Sequence, residues 1–241
     1  MTSSKDRLAL VTGGAVRLGE AISRRLAKAG YHVLIHAHSH LERAEALATE
    51  LGGTATSADL SRREGVDGLF EVIDALNIPL TALVNNAGVF FGEDPEKVTA
   101  EQWDFHLAVN LTAPFRCCQL AAPRMREAGG GAIVNMLDVA SLRPERDFVH
   151  YSATKAGLES VTRGLATHWA PEIRVNGIAP GAALLPEDFS PAERAIRLER
   201  TPMGEEAGAA AMADSVLFLL DGPRAITGTV LTVDGGFSAR W

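Results

Sequence analysis

Apolar residues along this chain come in short unbroken runs, separated by longer stretches of helical period. The runs are LALVT (8–12), HVLIHA (32–37), TATSADL (54–60), ALVNNAG (82–88), AIVNML (132–137), RVNGIAP (174–180) and TVLTVDG (229–235). They are continuous rather than alternating, as strands buried on both faces should be. Helical patterns fill the gaps at 16–29, 40–51, 61–76, 104–128, 151–169 and 211–220. The first carries Leu18, Ile22, Leu26 and Ala29 on one stripe, and Gly30 follows as a C′ residue. Strands alternating with helices predict an α/β fold: one Rossmann-type, doubly wound, seven-stranded parallel sheet. No linker, repeat or low-complexity tract divides residues 1–241, so a single domain is expected. Residues 182–203 carry Pro186, Pro191 and Pro202 between two elements and read as a substrate lid.

Composition narrows the function classes. The chain has 241 residues, 46% of them hydrophobic, enough for a large core in one α/β domain. A formal net charge of −7 argues against nucleic acid as a partner. The only two cysteines, Cys117 and Cys118, are adjacent in a helical pattern and form no disulfide framework. MTSSKDR leads directly into a short strand rather than a secretory segment, and no apolar run reaches the roughly 20 residues that span a bilayer. A soluble cytoplasmic protein without membrane attachment is expected.

The first strand runs into TGGAVRLGEAI (12–22), with Gly13, Gly14 and Gly19 at a strand-to-helix turn. Such a turn lets phosphate approach the backbone and the free N–H groups of a helix start. The second strand ends in HAHSH (36–40) with no acid for a ribose 2′-hydroxyl. Arg17 with His38, Ser39 and His40 suits a 2′-phosphate instead, so NADPH is expected over NADH. His36, His38 and His40 share one strand face and allow a metal reading, but polar residues at a strand end in a nucleotide fold explain them without one, so no metal is expected. Asp59 either accepts from an adenine amino group or caps the helix starting near Ser61.

Tyr151 and Lys155 lie one helical turn apart, so the ammonium should lower the phenol pKa and make Tyr151 a usable acid. TGGAVRLG (12–19), ADL (58–60), NNAG (85–88), Asn110 in VNLTAPF, YSATK (151–155), PG (180–181) and VDGG (233–236) occur in that order. In this the chain resembles the short-chain dehydrogenase/reductase family over essentially its whole length. The resemblance implies Tyr151 as proton donor, Lys155 on the nicotinamide ribose, and Asn110 supporting a proton-relay water. It implies that Gly13, Arg17, Leu18, Gly19, His38, Ser39, Asp59, Leu60, Asn86, Ala87, Gly88, Lys155, Pro180 and Gly181 hold the cofactor, and that the protein is a homotetramer.

Asp138 stands where most of the family has Ser. An ionised Asp accepts hydrogen bonds but donates none, which suits a C=N bond in a nitrogen-rich ring better than a ketone. Asp138, the RLG of the glycine turn, the histidine run and the GGFSAR ending are similar to the pteridine reductase branch, although an Arg expected after the second strand is absent. That likeness implies reduction of a dihydropterin or dihydrofolate. Its substrate residues would be Arg17, Phe90, Asp138, Tyr151 and Leu184, with Arg240 reaching a neighbouring subunit. Phe90 reads either as a ring that stacks on the pterin or as core packing. The alternative activities are a carbonyl reductase of the 3-oxoacyl type and a cofactor-binding regulator without catalysis.

Overall fold

The computed structural model describes residues 6–141, 143–181 and 189–239. Leu184, Pro186 and Arg240 lie outside these described residues. Strand β1 (Leu8–Val11) leads into helix α1 (Arg17–Lys28). Then come β2 (His32–Ala37), α2 (Leu41–Leu51), β3 (Thr54–Ser57), α3 (Arg63–Leu76) and β4 (Leu80–Asn85). Helix α4 (Ala100–Leu107) passes through a π turn (Ala108–Thr112) into α5 (Ala113–Glu127). The chain closes with β5 (Gly131–Met136), α6 (Val149–Trp169), β6 (Ile173–Pro180), α7 (Pro191–Glu199), α8 (Gly208–Asp221) and β7 (Val230–Val233).

The seven strands form one parallel sheet in the order β3-β2-β1-β4-β5-β6-β7. Leu10 of β1 pairs with Leu34 on one side and Leu83 on the other, both fully buried. Side chains alternate across the sheet and divide the core in two. Ala9, Val11, Val33 and Ile35 face α1, α2 and α8, whereas Leu8, Leu10, Leu34 and Leu83 face α3 and α5. Covering both faces explains the unbroken apolar runs. The edge strand β3 is only part-buried, and it is correspondingly the most polar.

Local chemistry sets the ends that matter. Helix α1 closes in a Schellman motif: Tyr31 N–H donates to Leu26 O (3.1 Å) and Gly30 N–H to Ala27 O (3.0 Å), with Gly30 at φ +90° as the C′ residue. Two boundaries differ from the sequence pattern. The stretch expected as one helix over 104–128 begins at Ala100, where Thr99 and Gln102 form a capping box, and it contains an extra π residue. Within the segment read as a lid, the described residues from 189 hold a helix, α7, started by Ser190 and Glu193 in a second capping box with Pro191 at its first turn.

A polar chain crosses the centre of the fold. Asn85 Nδ2 donates to Asn135 Oδ1 (2.8 Å), Asn135 Nδ2 to Thr162 Oγ1 (2.9 Å), and Thr162 Oγ1 to Leu158 O (2.7 Å). It ties β4 and β5 to α6, the helix that carries Tyr151 and Lys155. Asn135→Ala should cost about 2 kcal/mol, because fully buried partners on both sides lose their hydrogen bonds. Urea unfolding of wild type and variant measures it, and equal midpoints would contradict the argument.

Candidate active site

At the sheet centre, β1 is followed by a crossover to one side and β4 by a crossover to the other. The turns after these strands separate and leave a crevice at the strand C-termini. Side chains hold the crevice open at a fixed width. Thr12 Oγ1 accepts from the N–H groups of Asn86 and Ala87 (3.0 Å each). Asn86 Nδ2 returns hydrogen bonds to Thr12 O (2.9 Å) and Gly13 O (3.0 Å). The backbones come so close that a Cβ on Gly19 would lie 1.9 Å from Gly13 O. Arg17 adopts φ +52°, rare for a non-glycine residue, at the entry to α1. No side chain caps this helix.

A cavity of about 580 Å³ extends from this turn to β5 and α6. It is lined by Gly13, Arg17, Leu18, Gly19, His38, Ser39, His40, Asp59, Leu60, Asn86, Ala87, Gly88, Phe90, Asp138, Tyr151, Lys155, Pro180 and Gly181. Positions from seven separate segments of the sequence thus meet in one place. Leu184 lies outside the described residues. Asn110 is close by but does not line the cavity. Its Oδ1 accepts from Val89 N–H (2.8 Å) and its Nδ2 donates to Val89 O (2.9 Å). Its side chain therefore fixes the loop after β4.

Two polar residues at the nucleotide end are held by contacts within the protein. His36 is buried, and its Nδ1 accepts from Gly13 N–H (3.1 Å). The neutral ring then donates from Nε2 to Ala58 O (3.0 Å), and burial holds its pKa below the usual histidine value. His36 is a strut between the glycine turn and the end of β3. No group of three or more His, Cys, Asp or Glu side chains that could hold a metal occurs among the described residues. Asp59 Oδ1 accepts from both Ser61 N–H (2.9 Å) and Ser61 Oγ–H (2.7 Å), a local turn ahead of α3 rather than a cap of that helix, whose N-cap residue is Arg62, and Asp59 also lines the cavity.

At the other end, Asp138 follows β5 and opens a 3₁₀ turn (Val139–Ser141). Its Oδ1 accepts from Ala140 N–H (2.8 Å), which holds the carboxyl in place, and its Oδ2 accepts from the Tyr151 hydroxyl (2.8 Å). Burial raises the Asp138 pKa above the usual carboxylate range. Burial and the adjacent Asp138 push Tyr151 well above its ordinary value. The expected lowering by Lys155 is therefore overturned. The ammonium is 5.7 Å from the Tyr151 ring centroid, donates to Met136 O (2.8 Å), and is itself brought down to about 8 by burial. Phe90 is 55% exposed, which excludes core packing. Its ring stacks on Phe148 (4.5 Å between centroids) and meets Tyr151 edge-on (4.8 Å).

Pattern reasoning missed Thr12, Glu145, Phe148 and Arg197. The last three line the cavity only because loops distant in sequence converge there. The SPAE capping signature at 190–193 does mark α7 in the sequence, but not where Arg197 points.

Comparisons with known proteins bear on the family and the fold. Residues 14–238 match the family model described as enoyl-(acyl carrier protein) reductase. The chain is 36% identical to an uncharacterized oxidoreductase, YgfF, of Escherichia coli, over 95% of this chain and 99% of that protein. It is 34% identical to D-threitol dehydrogenase of Mycolicibacterium smegmatis, over 97% of this chain and 94% of that protein. Among solved structures it superimposes on FolM alternative dihydrofolate reductase 1 from Brucella canis, complexed with NADP. The TM-score is 0.91 and the identity 32%, covering 99% of this chain and 96% of that one.

The His36 strut makes a pH prediction. The neutral ring is favoured in the folded state, so the unfolded chain takes the proton first as pH falls. The strut's contribution is thus complete above about pH 6.5 and is lost below it. His36→Gln should lower the melting temperature at about pH 7.5, and the gap to wild type should narrow by about pH 5.5. A constant gap in thermal melts would contradict this.

Proposed function

The chain belongs to the short-chain dehydrogenase/reductase family, and on that premise we propose that it reduces a dihydropterin to the tetrahydro form with NADPH. The observation that carries the reading is the hydrogen bond from the Tyr151 hydroxyl to the Asp138 carboxylate. The Brucella structural neighbours, which are alternative dihydrofolate reductases in complex with NADP, support it.

The residues at the nucleotide end fit NADPH. The uncapped start of α1, beside glycines that leave no room for a Cβ, offers N–H groups to a pyrophosphate. Arg17, His38 and Ser39 supply a cation and donors for a 2′-phosphate, and no acid opposes it at the end of β2. Asn86, Ala87, Gly88, Pro180 and Gly181 would line the nicotinamide half, with Lys155 toward its ribose. When bound, the cofactor supplies the hydride.

This chain's own residues manage the proton. Tyr151 has one hydroxyl proton, and it points at Asp138. With Asp138 ionised, both oxygens of the pair would oppose donation to substrate. With Asp138 protonated, its O–H donates to Tyr151 Oη and frees the phenol proton for a ring nitrogen. Transfer then moves one proton from Tyr151 to substrate and one from Asp138 to Tyr151. The tyrosine stays a neutral phenol throughout, and the charge ends on the carboxyl. The raised pKa of Asp138 makes its acid form accessible, and the raised pKa of Tyr151 disfavours a phenolate. The exposed face of Phe90 suits stacking on a flat heterocycle.

A carbonyl reductase is the second reading, favoured by relatives such as the threitol enzyme. Where Asp138 is ionised it opposes this reading, because it cannot donate to a ketone oxygen and repels the developing oxyanion. We extend the proposal to a cytoplasmic homotetramer, since Trp103, Phe105, Phe115 and Val149 leave apolar surface open around α4, α5 and α6. No helix among the described residues is long and apolar enough to cross a membrane.

Steady-state assays with NADPH against dihydrobiopterin, dihydromonapterin and dihydrofolate test the reading, and no turnover of any of them sinks it. Tyr151→Phe should lower kcat by about 10²–10⁴-fold. Asp138→Ala should lower it strongly as well, and an intact rate there would remove Asp138 from the mechanism. The kcat/KM for NADPH should fall as pH rises through about 8, where Lys155 loses its proton. Lys155→Arg, which keeps its charge, should abolish that alkaline limb, and a limb left in place would assign it elsewhere.

A further inference from the structure

Helix α7 lies beside the cavity and buries none of its residues completely. Its inward cation, Arg197, lines the cavity together with Glu145, which comes from the loop ahead of α6. The guanidinium grips both carboxylate oxygens: Nη1 donates to Oε1, and Nη2 donates to Oε2 at 2.7 Å. This fork-on-fork arrangement is how an arginine recognises a carboxylate ligand. One turn earlier on α7, Arg194 Nη1 pairs with Glu206 Oε1 (2.6 Å). The chain's own acids thus occupy the cations that this helix presents.

Resting on the pterin reading above, we propose that Glu145 masks Arg197 from substrate carboxylates, and so makes the site select dihydropterins with uncharged side chains over the glutamate-tailed dihydrofolate. Glu145 is tethered beside Arg197, so it competes at an effective concentration on the order of millimolar or more. A folate carboxylate that displaced it would leave Glu145 unpaired in a partly enclosed site. That site also holds a second acid, Asp138, and the Glu145 charge beside it disfavours ionisation of Asp138. An uncharged pterin side chain meets neither cost. Electrostatic pairing within the protein thereby acts as discrimination against a charged competitor.

The decisive quantity is the ratio of kcat/KM for dihydrofolate to kcat/KM for dihydrobiopterin. Effects of Glu145 on the protonation of Asp138 and Tyr151 act on both substrates and largely cancel in it. The wild type should favour dihydrobiopterin. Glu145→Gln should raise the ratio about tenfold, the size of one charge-assisted pair made available to substrate. Glu145→Gln combined with Arg197→Gln should return it to the wild-type value. Glu145→Ala should show the same rise, which keeps the assay decisive if one variant folds poorly. Turnover with a ratio unmoved by both Glu145 substitutions, or a gain that survives loss of Arg197, overturns this inference alone. Absence of turnover of either substrate by the wild type overturns the pterin reading and this inference with it.

Discussion

Everything at the active end of this molecule depends on the seam between β1 and β4. The two strands are neighbours in one sheet, but their chains leave in opposite directions. Without a tie, the two turns would be separate surface loops. Thr12 and Asn86 make that tie with four hydrogen bonds, and a Cβ on Gly13 would meet Ala87 across it. His36 braces the same turn from the other side, and Asn110 braces the loop after β4. The binding crevice is therefore held by side chains that do not themselves need to touch a ligand.

The chemical end is governed by burial. Asp138, Tyr151 and Lys155 are all shielded from water, so each is pushed toward its neutral form: the two acids upward and the amine downward. On the proposed mechanism, such a site passes a proton between neutral partners rather than storing a phenolate. The ion pair of Glu145 and Arg197 stands at the edge of this region, where partial exposure lets both charges persist. Under the two proposals, the buried neutral interior serves proton transfer and the charged, self-paired rim serves selection.

Much of this was readable in the residues. Seven unbroken apolar runs separated by helical stretches imply the parallel sheet, because strands covered on both faces are continuously apolar. The glycine turn, the Tyr and Lys one helical turn apart, and Asp138 at a strand end were visible as local patterns. The π turn at Ala108–Thr112 was not, since one extra residue in a helix leaves the apolar period almost unchanged. Phe90 was ambiguous in the sequence because an aromatic residue after a strand serves a core as well as a ligand. Only its exposure and its stacking on Phe148 distinguish the two.

The sequence by itself determined the elements, their order and the types of group available, since hydrophobic period and turn chemistry act over a few residues. The tertiary structure decided what those groups face. It set Asn110 on Val89, His36 on Gly13, and Glu145 on Arg197, contacts spanning 21, 23 and 52 residues. It also reversed the expected shift at Tyr151. Spacing alone put a cation next to the phenol, whereas folding buried the ring and gave its hydroxyl to Asp138. Local pattern names the residues that can ionise, but desolvation and long-range pairing decide which of them do.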